Sequence, residues 1–150
     1  MIALTYINKS SATIAAMKDY ENMKLIITAT SQDVKDTYED MFSTRSSQID
    51  GLPKTHNPQA GENKIVSSLE KINIMQERYR QAVEYMAWFE AAWLSLTSEE
   101  QVILKEFYMQ ISQRSGATTR LCNLLCYSEA HVERLRNKTL SRLTKLLYGC

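Results

Sequence analysis

Proline and glycine are scarce in this chain, two and four of 150 residues. So few breakers favour long helices over many short strands joined by turns. Cysteine is also scarce and odd in number: Cys122, Cys126 and Cys150. The only histidines, His56 and His131, lie far apart, so no Cys/His set with zinc spacing forms and reduced thiols are expected. No apolar run approaches the roughly 20 residues that span a bilayer. The opening MIALTYINKSS has no charged leader ahead of its apolar residues. A cytoplasmic protein without a membrane partner is expected. A Gly-rich phosphate loop, HExxH, CxxC and a Ser/His/Asp set are all missing. The sequence therefore gives no reason to expect an enzyme, a cofactor or a metal.

An excess of charge of one sign is lacking too, because the net charge is +1. Its distribution is uneven. Residues 1–96 carry 10 Lys and Arg against 12 Asp and Glu, a balance of −2, and residues 97–150 carry 8 against 5, a balance of +3. The positive excess sits at the C-terminal end. It is too small to establish nucleic-acid binding alone.

Four segments follow from the pattern, all helical or loop, so the expected class is all-α. Residues 1–42 form an N-terminal helical segment. From about Ser11 to Phe42, Ile14, Met17, Met23, Ile27, Val34 and Met41 suit one or two amphipathic helices, with TATS at Thr28–Ser31 as a candidate break. Residues 43–62 form a flexible loop. The stretch from Ser43 to Asn63 holds both prolines and two glycines, and buries little apolar surface. Residues 63–96 form a long helix. Its stripe is Ile65, Leu69, Ile72, Met75, Tyr79, Ala82, Met86, Phe89, Trp93 and Leu96, close to a coiled-coil seam with one short step. About 33 residues make a helix roughly 50 Å long, which cannot stand alone. The stripe must pack on the N-terminal helix, on a second copy as a homodimer through Ile65–Leu96, or on both.

Residues 97–150 form the last segment. Thr97-Ser98-Glu99-Glu100 is a capping box, and Val102, Ile103, Leu104, Phe107 and Tyr108 follow as a broad apolar face. Gln110–Gly116 is polar and ends that helix. Thr118–Leu143 then reads as a short helix, a tight turn and a longer helix. Leu121, Leu124 and Leu125 give the short helix its apolar face, and Cys122 is small where two helices approach closely. Cys126-Tyr127 makes the turn. Ser128 is a good N-cap, with Glu129 where the helix dipole favours negative charge. In the longer helix Val132, Leu135, Thr139, Leu140, Leu143 and Leu147 face the core. His131, Arg134, Lys138, Arg142 and Lys145 share a neighbouring basic stripe. A helix buried on one side and basic on the other suits the DNA major groove. Glu129, His131 and Arg134 are candidates for base contact. Arg120, Arg136, Lys138, Arg142 and Lys145 are candidates for phosphate contact. Ser128 and Asn137 complete the candidate DNA-binding set. The bland alternative is a solvated helix face.

The stretch Leu96–Leu147 resembles region four of bacterial sigma factors. The matching residues are Leu96-Thr97-x-Glu99-Glu100, Ile103-Leu104, Phe107-Tyr108, Leu121-Cys122, Leu125, Tyr127-Ser128, His131-Val132 and Arg136-Asn137-Lys138-x-Leu140. The whole layout is similar to the ArpU/RinA-like phage late-transcription regulators, down to the closing SEAHVERLRNKTLSRLTKLLYG. The resemblance implies a helical arm or bundle followed by a sigma-region-four-like helix-turn-helix. It further implies a prophage late-gene activator in a bacterial cytoplasm, with double-stranded DNA and RNA polymerase as partners. Two residues depart from the family pattern: Cys126 stands where Gly is usual in the turn, and Cys122 where Ala is usual. A turn residue with positive φ is awkward for Cys. The rival reading is a helical oligomeric adaptor or structural protein, including a small-terminase-like packaging component. In that case Trp88, Phe89, Trp93, Met75 and Met86 would form a protein interface.

Overall fold

The computed structural model of the chain describes residues 8–43, 59–110 and 116–149. Most of the loop (44–58), residues 111–115 of the polar stretch, the opening heptapeptide and Cys150 lie outside the described residues. Among those described the fold is all-α: α1 (Lys9–Phe42), α2 (Ala60–Trp93), α3 (Ser98–Leu104), a π-helical turn (Lys105–Met109), α4 (Ala117–Leu125) and α5 (Glu129–Tyr148).

α1 is one helix of 34 residues. Asn8 starts it, its Oδ1 accepting from the Ser11 amide at 3.1 Å. The TATS stretch does not interrupt it. The hydroxyls of Thr28 and Thr30 donate to the carbonyls of Leu25 and Ile26 at 3.0 and 2.5 Å. They satisfy themselves within the helix instead of competing for its amides. α2 also has 34 residues and starts at Ala60, so residues 60–62, read from the sequence as loop, belong to its first turn. Glu62 lies in that turn, where the helix dipole favours a carboxylate.

The chain divides into two compact units: Met1–Lys24 with Glu84–Cys150, and Leu25–Val83. The division falls inside both long helices, not at the Ser/Pro/Gly segment.

The Leu25–Val83 unit pairs the second half of α1 with the first part of α2. Ile72 and Ala82 are buried at its centre with Ser68, and Met75, Ile26, Val34, Thr37 and Met41 are half-buried. Lys64 reaches the C-terminal carbonyls of α1, donating to Asp40 O and, at 3.3 Å, to Ser43 O. The stripe expected along α2 splits in this unit: Ile65, Leu69 and Tyr79 are 43%, 43% and 41% exposed. The line that turns inward runs Ser68, Ile72, Met75, Ala82 and on through Phe89 and Leu96. Ile65 and Leu69 fall on its flank. The short step between Leu69, Ile72 and Met75 is where one heptad line is exchanged for another.

The other unit is built round Phe89, which is fully buried. Tyr20, Tyr85 and Trp93 surround it at ring distances of 5.5, 5.7 and 5.7 Å. Met17, Ala92, Leu96, Leu104, Leu143 and Leu147 complete this core, joining α1, α2, α3 and α5. Tyr85 donates its hydroxyl to the Ala16 carbonyl, and burial, then the nearby Asp19, pushes that phenol far above its usual range. Thr13 and Thr144 meet in the interior with their hydroxyl oxygens 3.0 Å apart, and each also bonds a carbonyl of its own helix. No buried side-chain polar atom among the described residues lacks a partner. Trp88 keeps 38% exposure, but its indole N–H donates to the Leu147 carbonyl at 3.3 Å. Phe89 and Trp93 therefore fill core in this chain. No helix among the described residues is long and apolar enough to cross a membrane.

Candidate functional site

α3, α4 and α5 form a second, smaller core. Ile103, Leu121 and Val132 are fully buried against one another, with Val102, Phe107, Cys122, Leu125 and Leu135 packed around them. The capping box at the start of α3 is present in both directions. The Glu100 amide donates to Thr97 Oγ1 at 3.3 Å, and the Thr97 amide to Glu100 Oε2 at 2.9 Å. After Leu104 the helix widens into a π turn, closed by the Gln110 amide on the Lys105 carbonyl at 3.2 Å. That turn carries Glu106 and Phe107, which both hold a cation of the next two helices.

α4 is capped by Gly116 in the left-handed conformation at φ 82°. Ala117 and Leu121 are its buried residues. Leu124, expected on the same face, is 66% exposed. Leu121 and Leu125, four apart, fix the inward line, and Leu124 lies off it beside polar Asn123. Cys122 lies against the small core, as its size predicts. Cys126 ends α4 at φ 56°, ψ 36°, the one positive-φ non-glycine among the described residues. For a side chain with Cβ this conformation costs roughly 1–2 kcal/mol.

Cys126, Tyr127 and Ser128 join α4 to α5. Ser128 occupies the N-cap position with extended backbone, φ −73° and ψ 153°, but its hydroxyl makes no capping bond. A hydrogen bond from the Tyr127 phenol to Glu99 and the Glu99 charge raise the tyrosine above its usual range, and so tie the turn to the first turn of α3. Tyr127 meets His131 edge-on at 4.7 Å.

α5 separates its faces as the spacing predicts. Val132, Thr139, Leu143 and Leu147 are buried, and Leu135 and Leu140 are half-buried. Ser128, Glu129, His131, Arg134, Asn137, Lys138, Arg142 and Lys145 are all exposed. Ala130 and Ser141, which the sequence reading had not singled out, lie between them on the exposed face. The outward line is thus Ala130, Arg134, Asn137, Lys138, Ser141 and Lys145, mixing long cations with small or polar side chains.

The six Lys and Arg candidates fall into two groups. Arg134, Lys138 and Lys145 have no ion-pair or hydrogen-bond partner for their side chains among the described residues. Three other cations are held within the protein. Arg142 donates to both carboxylate oxygens of Glu100 at 3.0 and 2.8 Å and to the Ser95 carbonyl at 3.3 Å. Arg120 donates from Nε and Nη2 to Glu106 Oε2 at 3.2 and 3.0 Å. Arg136 lies over the Phe107 ring, 5.0 Å from its centroid, and contacts Asn137 Oδ1 at 3.4 Å. Burial raises the Glu100 carboxyl, but the Thr97 amide and Arg142 outweigh it and hold the group below the usual carboxylate range. These partners stand on α3 and the π turn, distant in sequence from the cations they hold, and no local spacing announces them.

No protein-family model, curated protein or solved structure matches this chain. The functional reading therefore stands on the arrangement of α4, the turn and α5.

Proposed function

We propose that the chain is a sequence-specific DNA-binding transcription regulator, with α4, the turn and α5 as its helix-turn-helix. The observation that carries this reading is the division of α5. One face is locked into two apolar cores, while the other presents Arg134, Lys138 and Lys145, unpaired among the described residues, directly after a three-residue turn. Such a helix enters the major groove with its N-terminal residues near base edges and its later cations near phosphates. Glu129, His131 and Arg134 are the base-contact residues in this reading. Lys138 and Lys145 contact phosphates. Arg120, Arg136 and Arg142 brace the surface in the free protein and reach phosphates only by exchanging an internal partner. Prophage late-gene activation and contact with RNA polymerase rest on the resemblance to ArpU/RinA-like regulators and sigma region four.

The test is fluorescence anisotropy of labelled duplex from the DNA flanking the gene, set against random duplex at about 50 and 200 mM salt. Binding that favours one flanking segment and weakens steeply with salt supports the reading. Absence of binding at low salt overturns it.

One observation favours a second reading, an adaptor that binds protein through α4. Leu124 stands out from the C-terminal turn of α4, 66% exposed. In that reading Leu124→Ala abolishes capture of a protein partner and the α5 cations do not matter.

A further inference from the structure

We infer that the Leu25–Val83 unit is a homodimerisation arm, in which two copies of the α1/α2 pair close into a four-helix bundle. α2 carries a second heptad line beside the one that faces α1. Ile65, Leu69, Ile72, Gln76, Tyr79 and Val83 recur at steps of 4, 3, 4, 3 and 4. It shares Ile72 with the inward line and otherwise lies on its outer flank. Four of its members, Ile65, Leu69, Tyr79 and Val83, are 41–43% exposed. A helix with two adjoining seams is built to pack on two neighbours, and α1 supplies only one.

α1 mirrors the feature. Ile27, Ser31, Val34 and Tyr38 recur at steps of 4, 3 and 4, and Phe42 follows four residues later, 73% exposed. The two outer lines meet: Ile27, Val34 and Tyr38 line one open groove with Gln76 and Tyr79, of about 620 Å³, and Thr30, Ser31 and Lys35 edge it.

The surface area points to a second copy as the occupant. Tyr38, Phe42, Ile65, Leu69, Tyr79 and Val83, at roughly 80 Å² apiece, leave on the order of 500 Å² of apolar surface on one side of a two-helix unit. With its polar rim that approaches the about 800 Å² per partner of a standard interface. A two-fold axis lets the same patch cover itself, and the matched 3.5-residue spacing of both outer lines gives knobs and holes of one kind. Gln76 is the single polar side chain in the α2 line, and such a residue sets register at the cost of some stability. None of this depends on DNA binding.

Sedimentation equilibrium of the full chain at tens of micromolar tests the inference. The expected mass is twice 17.3 kDa. The double variant Leu69→Glu/Val83→Glu alters side chains outside the unit's own buried centre. It is expected to run as a monomer with unchanged helical circular dichroism. Val83→Lys alone, gentler on the fold, is expected to weaken the dimer at least tenfold. Ile74→Glu, at a position 53% exposed and off both lines, is expected to leave the dimer intact. A monomeric wild type at about 100 μM overturns the inference. So does a double variant or a Val83→Lys chain as dimeric as the wild type.

Discussion

The two ends of α2 share a heptad-like period, yet they differ in what their side chains meet. Phe89 is fully buried, ringed by Tyr20, Tyr85 and Trp93. Toward the other end, Ile65, Leu69 and Val83 keep more than 40% of their surface. In the first region α2 meets α1, α3 and α5. In the second its one neighbour among the described residues is α1. A heptad stripe states that a face is to be covered, and the number of neighbouring elements decides how much of it is covered within one chain.

Substitutions in the two regions measure that contrast. Phe89→Ala empties the centre of the aromatic cluster and is expected to cost about 3–5 kcal/mol in urea denaturation. Leu69→Ala, on the exposed flank, is expected to cost under about 1 kcal/mol in the monomer. Equal losses at the two sites would break the comparison.

The next effect belongs to the clamp that holds α5 to α3. Arg142→Ala removes the donor to Glu100 and Ser95 and is expected to cost up to about 1 kcal/mol at neutral pH, because the pair is partly exposed. The sign of its pH dependence follows from Glu100. Its folded pKa is depressed despite burial, so the contribution is complete above the unfolded carboxylate value of about 4.3 and lost as pH falls through the lower folded value. The stability gap between wild type and Arg142→Ala is expected to close in acid urea titrations. A gap that persists at the lowest pH assigns the loss to packing.

Cys126→Gly acts with the opposite sign. Relief of the left-handed strain, less the extra freedom glycine has when unfolded, is expected to raise stability by up to about 1 kcal/mol in the same assay. A destabilised Cys126→Gly chain would mean that the thiol makes up for its backbone.

Much of the frame was legible in the sequence, and the unread parts have a common cause. The capping box at Thr97 and Glu100, the two faces of α5 and the positive φ at Cys126 depend on residues close in sequence, and each is present. The continuity of α1 through TATS depended on whether threonine hydroxyls would turn back on their own helix, which spacing does not state. Three-residue and four-residue steps both suit a helical face, so spacing alone puts Leu124 inward with Leu121 and Leu125. Only the packing of Leu121 and Leu125 on Ile103 and Val132 selects between them. The internal engagement of Arg120, Arg136 and Arg142 was invisible for a similar reason. Their partners Glu106, Phe107 and Glu100 lie on elements that only the fold brings near. Spacing alone therefore treats the phosphate candidates Arg120, Arg136, Lys138, Arg142 and Lys145 alike, whereas Arg120, Arg136 and Arg142 are already occupied.

The central claim is that the unpaired cations of α5 contact DNA phosphates, and the salt dependence of binding tests it most directly. The slope of log affinity against log salt is to be measured on one duplex for three proteins: the wild type, Arg134→Ala/Lys138→Ala/Lys145→Ala, and the arm control Lys71→Ala/Arg78→Ala. Each lost phosphate contact lowers the slope by about 0.9. The α5 triple is expected to flatten it by two to three times about that amount, Arg134 being shared with a base, while melting as the wild type does and leaving the arm control at the wild-type slope. An α5 triple with the wild-type slope and affinity would contradict the claim.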